Sequence, residues 1–179
     1  MKKRYLVISL LLIFICVGCG MGNTPSAKVE AVLRRYTANA DAVKIELGDF
    51  LNTLDLDNDN RNAYQDVYLR QYSDMTYEIK NERIDGNNAI VTVQIQVYDY
   101  YTTENVVNNY VSNNSSEFHD DNGVYSNVLA FRYRIDELKK VQDRIDYTID
   151  FTLTKVGNEW VVDNLTNEQL QKIHGTYAH

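Results

Sequence analysis

Carboxylates are the first residues here whose types and spacing could do chemistry. Asp55, Asp57, Asp59 and Asp66 have the acid spacing of a calcium loop, in which a tight turn points the first, third and fifth positions inward. Three departures weigh against metal. Asn60 stands where the turn needs glycine, Asp66 replaces the long bidentate glutamate, and Asn62 takes a position that is usually apolar. The default reading of Asp55 to Asn62 is a solvated acidic loop, with calcium the minor one. Asp99 continues the face of Val91, Val93, Ile95 and Val97, so it is the acid to follow as a buried base. Its plainer reading is a strand-end residue reaching solvent. His119 lies in a polar stretch with Asp120 and Asp121. His174 closes the last helix, where a cation complements the dipole, and His179 is the final residue. None of the three falls on the core face of a strand. G-x-S-x-G, H-E-x-x-H and phosphate-binding glycine patterns are all missing from the sequence. Binding is the chemistry to expect, and no catalytic residue is assigned.

Hydrophobic periodicity supplies the elements that must position these residues. Thr24 is a good N-cap and Pro25 suits the first helical position. Val29, Val32, Leu33 and Tyr36 form one helical stripe, and Val43, Leu47, Phe50, Leu51 and Leu54 form a second. A third helix carries Tyr64, Tyr68 and Tyr72 four residues apart. From Met75 the period becomes two. Asp85-Gly86 marks a hairpin turn into a strand with Val91, Val93, Ile95 and Val97 on one face. Thr102 to Val111 reads as a short helix, Ser112 to Gly123 as loop, and Val128 to Val141 as a longer helix. Tyr147, Ile149, Phe151 and Leu153 alternate with polar residues, and Gly157-Asn158 turns that strand into Trp160-Val161-Val162. Thr166 and Gln169 form a capping box for a closing helix. Hairpin-joined strands with one polar face need helices over the other. The fold class is therefore α+β, a curved antiparallel sheet packed on N-terminal helices in a single domain.

The chain begins with a basic trio, Lys2, Lys3 and Arg4, and then 13 apolar residues, Tyr5 to Val17. At 1.5 Å per residue such a run reaches about 20 Å, short of a ~30 Å hydrocarbon core, so it suits a signal segment better than a span. Cys16-Val17-Gly18-Cys19 resembles the lipobox of bacterial lipoproteins. The resemblance implies a signal peptide over residues 1–18, a diacylglycerol and further acyl lipid (palmitate) on Cys19, and a short tether over 19–23. The domain then occupies 24–179, on the extracytoplasmic face of a bacterial membrane. Two acyl chains anchor stably where one does not. Removal of the signal leaves 15 basic against 25 acidic residues, a net charge of −10. That charge argues against nucleic acid as a partner. Cys16 and Cys19 are the two cysteines, so the domain itself has no disulfide.

The element order, with Thr24-Pro25 opening the first helix, Asp85 to Ala89 opening the long strand, Gly157 to Val162 and the tail Lys172 to Tyr177, resembles small bacterial lipoproteins with a nuclear-transport-factor-2-like (cystatin-like cone) domain. This resemblance implies a cone pocket between sheet and helices, lined by Tyr36, Tyr64, Tyr68, Tyr72, Tyr77 and Trp160. The simpler reading is that these rings complete the core and reach solvent with their hydroxyls. The expected function is a membrane-anchored, non-catalytic envelope lipoprotein whose domain binds a protein, peptide or small ligand. The alternative is a small-molecule carrier or enzyme using the tyrosine-lined cone. The outer sheet face of Thr92, Gln94, Gln96, Thr148 and Thr152 is polar enough to face water, so a monomer is expected. Apart from the covalent lipid, no cofactor is expected.

Overall fold

The computed structural model describes residues 22–38, 40–52 and 56–179. The signal segment, Cys19 and Asp55 lie outside the described residues. Among the described residues three helices come first: α1 (Pro25–Ala38), α2 (Ala40–Leu51) and α3 (Asn58–Ser73). The Thr24 hydroxyl caps α1 by accepting the Ala27 amide at 3.2 Å. Val29 and Leu33 on α1, and Val43 and Leu51 on α2, are buried as their spacing requires.

Helix α3 starts four residues before the expected end of the acidic loop. Asp57 is its N-cap and accepts the Asn60 amide at 2.7 Å, while Asp59 in the first turn complements the dipole. The same acids that read as a loop are thus a helix start. Asn60 is buried, and its side chain donates to the Val128 carbonyl at 3.0 Å.

Four antiparallel strands follow in the order β1 (Thr76–Asp85), β2 (Asn88–Tyr98), β3 (Arg144–Val156) and β4 (Glu159–Val162). Between β2 and β3 the chain leaves the sheet through α4 (Tyr100–Asn113), a 3-10 turn (Ser115–Phe118) and α5 (Asn127–Lys140). The polar stretch after Ser112 is therefore not all loop, and Phe118 within it is buried. The turn at Gly86-Asn87 joins β1 to β2 as Asp85-Gly86 predicts, and Gly86 takes the left-handed conformation at φ +58°.

On the helix-facing side of the sheet, Val91, Val93 and Ile95 pair with Phe151, Ile149 and Tyr147, and all six are buried. The outer side carries Thr92, Gln94 and Gln96 against Asp150, Thr148 and Asp146. Thr92 donates to Asp150 at 2.6 Å and Gln96 to Asp146 at 3.1 Å. A bulge at Lys80 shifts the β1 register between Ile79 and Asn81, which bends an edge strand. These features make the described domain α+β, with helices packed on an antiparallel sheet.

The far end of β2 is held by polar groups. Gln71 of α3 is fully buried, and its amide faces the backbone of Tyr98, accepting the Tyr98 N–H at 2.8 Å and donating to the Tyr98 carbonyl at 3.3 Å. The Tyr98 ring lies between Arg70 and Arg144, whose guanidinium carbons are 4.0 and 3.9 Å from its centroid. Arg70 also donates to the carbonyls of Lys139 and Val141 at 2.9 Å, so one side chain joins α3, the end of α5 and β2.

The last helix, α6 (Asn167–His174), has the expected capping box between Thr166 and Gln169. It ends at Gly175, in the left-handed conformation at φ +74°.

Candidate functional site

Helices α1, α2, α3 and α6 enclose a groove of about 640 Å³, a size typical of small-molecule sites. Its walls are Tyr36 from α1, Val43 and Leu47 from α2, and Tyr64, Tyr68 and Tyr72 from α3. The fourth wall is Asn167, Leu170, Gln171 and His174 from α6. The expected place for a cone pocket is between sheet and helices. The helix-facing side of the sheet there carries a buried cluster that includes Val91, Val93, Ile95, Ile149, Phe151 and Leu153, and the groove lies among the helices.

Four of the expected lining residues are brought together: Tyr36, Tyr64, Tyr68 and Tyr72. The other two, Tyr77 and Trp160, are not, and neither is Asp99. Tyr77 is half-buried on β1, opposite Ile95. Trp160 is buried on β4, with its backbone N–H held by Asn23 and Lys155 5.6 Å from its ring centroid. Asp99 caps α4, accepting the Thr102 amide at 3.0 Å, with His179 at 3.7 Å. The strand face ends one residue before Asp99, so its carboxylate turns to helix capping and supplies no base to the groove.

Of the expected calcium ligands, Asp57 is the α3 cap, whereas Asp59 and Asp66 lie seven residues apart along α3. Two helical turns place them about 10 Å apart along the axis. Asp57 is also 3.9 Å from Arg132. The helix thus does not bring these three acids to a common point. Among the described residues no group of three or more acids, histidines or cysteines is arranged to hold a metal ion.

The rings form a continuous aromatic wall. Tyr36 and Tyr72 are 5.2 Å apart by centroid, Tyr64 and Tyr68 4.8 Å, and Tyr68 and Tyr72 6.2 Å. Phe131 of α5 backs Tyr64 at 5.3 Å, and Tyr100 backs Tyr68 edge-on at 5.9 Å. The Tyr64 hydroxyl donates to that of Tyr68 at 3.3 Å. Burial pushes both phenols above their usual range, Tyr68 strongly, so they remain neutral hydrogen-bonding groups. Glu104 of α4, whose carboxyl is itself raised by burial and opposed by Arg134, adds to the upward push on both.

The expectation for His174 is a cation at a helix end. It is instead turned inward, with its Nδ1 2.7 Å from the Tyr72 hydroxyl and its ring edge-on to Tyr68 at 5.9 Å. Burial drives its pKa from 6.5 down to about 4. Desolvation of the imidazolium outweighs the favourable helix dipole, so the ring is neutral at physiological pH. A base with so low a pKa is a weak proton acceptor near neutrality. Among the described residues lining the groove, none carries a charge.

This depressed pKa sets a pH dependence. From pH 6.5 down to 4 the unfolded chain takes a proton at His174 that the folded chain refuses, so stability falls as pH falls. The loss from this one group reaches about 3 kcal/mol by pH 4. His174→Gln should flatten that part of the profile, measured as urea midpoints of both proteins at each pH. Parallel profiles would exclude the assignment.

The α6 residues escape a hydropathy reading, although Asn167, Leu170, Gln171 and His174 have the i, i+3, i+4, i+7 spacing of one helix face. Their polarity hides them, because such a stripe counts one apolar residue among the four.

No protein-family model matches the chain, and no curated protein matches it. Among solved structures, YcdA of Bacillus subtilis, a candidate lipoprotein, is similar at 16% identity and a TM-score of 0.41. The match covers 89% of this chain, and the chain spans 50% of that protein. A likeness so slight carries neither fold nor function across.

Proposed function

We propose that the protein is a lipid-anchored envelope lipoprotein, attached through Cys19 on the extracytoplasmic face of a bacterial membrane, whose domain binds an uncharged, partly apolar small ligand. This joins the non-catalytic binding domain to its small-molecule carrier alternative. The observation that carries it is the groove among α1, α2, α3 and α6. Tyrosine rings give broad apolar contact, while hydroxyls and the Asn167 and Gln171 amides give orientation. The weak basicity of His174 supports binding over proton transfer. The order of helices and hairpins supports a place among domains like nuclear transport factor 2.

A neutral fluorescent probe tests the groove. N-phenyl-1-naphthylamine should bind with enhanced emission, and Leu170→Trp, which fills the cavity from α6, should weaken binding at least about tenfold at unchanged urea midpoint. An unaltered titration in the folded variant would remove the groove as the site. The anchor is tested separately by metabolic labelling with a clickable fatty acid. Label should disappear in Cys19→Ala, and equal label in both proteins would refute lipidation at that residue.

A further inference from the structure

The chain enters the domain at one end of the sheet. Asn23, expected in a free tether, is fixed there: its side chain donates to the Asn158 carbonyl at 2.5 Å and accepts the Trp160 N–H at 3.1 Å. Three residues on, the Ser26 amide donates to Glu82 of β1 at 2.9 Å. The entry point is thereby tied to both hairpins.

Both hairpin tips point the same way. Asn88, at the start of β2, pairs with Thr154, and the Lys155 amide donates to the Asn87 carbonyl at 2.8 Å. The tips at Gly86-Asn87 and Gly157-Asn158 therefore form a shared rim. Three large apolar side chains stand out from it into solvent: Ile84 at 53% exposure, Val156 at 63% and Val161 at 48%. Ile84, opposite buried Ala89, continues the inner face past the helices, whereas Val156 and Val161 lie on the outer face, so the rim presents apolar side chains on both sides of the sheet.

The rim has no basic excess. Lys28 pairs with Glu159 at 2.9 Å, Lys155 lies over the Trp160 ring, Arg83 stands between Glu82 and Asp85, and Asp163 accepts from Thr154 at 3.1 Å. The groove lies toward the other end. Gly175, just past α6, packs on Tyr98, ten residues along β2 from Asn88, or about 34 Å.

We propose that this rim rests on the bilayer, with Ile84, Val156 and Val161 in the headgroup layer and the groove held outward. The inference rests on the lipid-anchor reading. The occupant follows from where the chain leads: Cys19 precedes Asn23 by four residues, so an acyl-bearing cysteine lies within about 15 Å of the rim. Because the rim has no basic excess, contact is apolar and needs no anionic lipid.

The test uses the lipidated protein in phosphatidylcholine vesicles carrying a headgroup nitroxide. An environment-sensitive fluorophore is placed on Asn87→Cys at the rim, or on Val106→Cys, an exposed site on α4. Flotation with vesicles reports the anchor, and quenching reports the rim. Floating protein should show quenching at residue 87 at least about threefold greater than at 106. Adding Ile84→Asp and Val156→Asp should lower the quenching at 87 while flotation persists.

Failure to float overturns the anchor and the rim together. Flotation with equal quenching at both sites overturns the rim while leaving the anchor standing. Unchanged quenching with the acidic pair also overturns the rim alone, since the tether then explains proximity without apolar contact. Loss of quenching through self-association, seen as concentration-dependent protection of residue 87, would assign the rim to a second copy and also overturn the proposal.

Discussion

Gly175→Ala is expected to lower the free energy of unfolding by about 3–5 kcal/mol, among the largest losses a single methyl can cause. Two costs combine. At φ +74° an alanine is strained by about 1–2 kcal/mol. A Cβ on Gly175 would also overlap the Tyr98 carbonyl oxygen and the Gln71 side-chain amide. The carbonyl belongs to the end of β2 and cannot step aside without breaking its contact with Gln71. Gly157→Ala separates the two effects. Its φ of +62° carries similar strain, but a Cβ there meets nothing within 4 Å, so about 1–2 kcal/mol is the whole expected cost. Urea unfolding of both variants at constant m-value measures the difference. Equal midpoints would mean that the close packing at Tyr98 does not matter. The same variant should weaken probe binding, because Gly175 fixes the end of the helix that carries Gln171 and His174 into the groove. Its carbonyl also accepts the Tyr101 amide at 2.8 Å, which ties α6 to the start of α4.

The second large effect is expected at Gln71. Its amide meets Tyr98 much as a neighbouring strand would, offering an acceptor to the N–H and a donor to the carbonyl. Gln71→Leu keeps the volume and removes both. The stranded backbone groups are buried, each costing about 1–3 kcal/mol, so a total of about 2–6 kcal/mol is expected. Hydrogen exchange should localise the damage, with the Tyr98 amide losing protection before the centre of β2 does. Protection at Tyr98 equal to wild type would show that another acceptor replaces Gln71. The two substitutions share a contact, so their effects should not add.

Periodicity makes most of the architecture legible. Alternation at Val91 to Val97 and Tyr147 to Leu153 marks the inner face of the sheet. Gly86 and Gly157 mark its turns, and the Tyr64–Tyr68–Tyr72 spacing marks α3. These signals are local, and each is set by one element's burial.

What stays hidden depends on contacts between distant segments or on where one element gives way to the next. Asp57 reads with its acidic neighbours as a possible ligand, yet a single hydrogen bond to Asn60 makes it a cap. Asp99 continues an apolar face in the sequence, but the chain turns into α4 at that residue. His174 sits at a helix end, where local electrostatics favours a cation. Only packing against Tyr68 and Tyr72, over a hundred residues earlier, makes it neutral. The groove itself needs α6 folded back on α3, which neither segment announces. Gln71 among the polar residues of α3 gives no hint that it meets a strand end.

The placement of α6 has a consequence for the order of assembly. The aromatic wall on α3 is complete once Ser73 has been made, but its lid comes from residues 167–174, nearly a hundred positions later. A chain made or exported from its N-terminus holds an uncovered tyrosine surface throughout that interval. Closure is then a late, long-range event with a high loop-closure cost. In the folded domain the Tyr147 hydroxyl donates to the Tyr177 carbonyl at 2.8 Å, which ties the segment after α6 to β3.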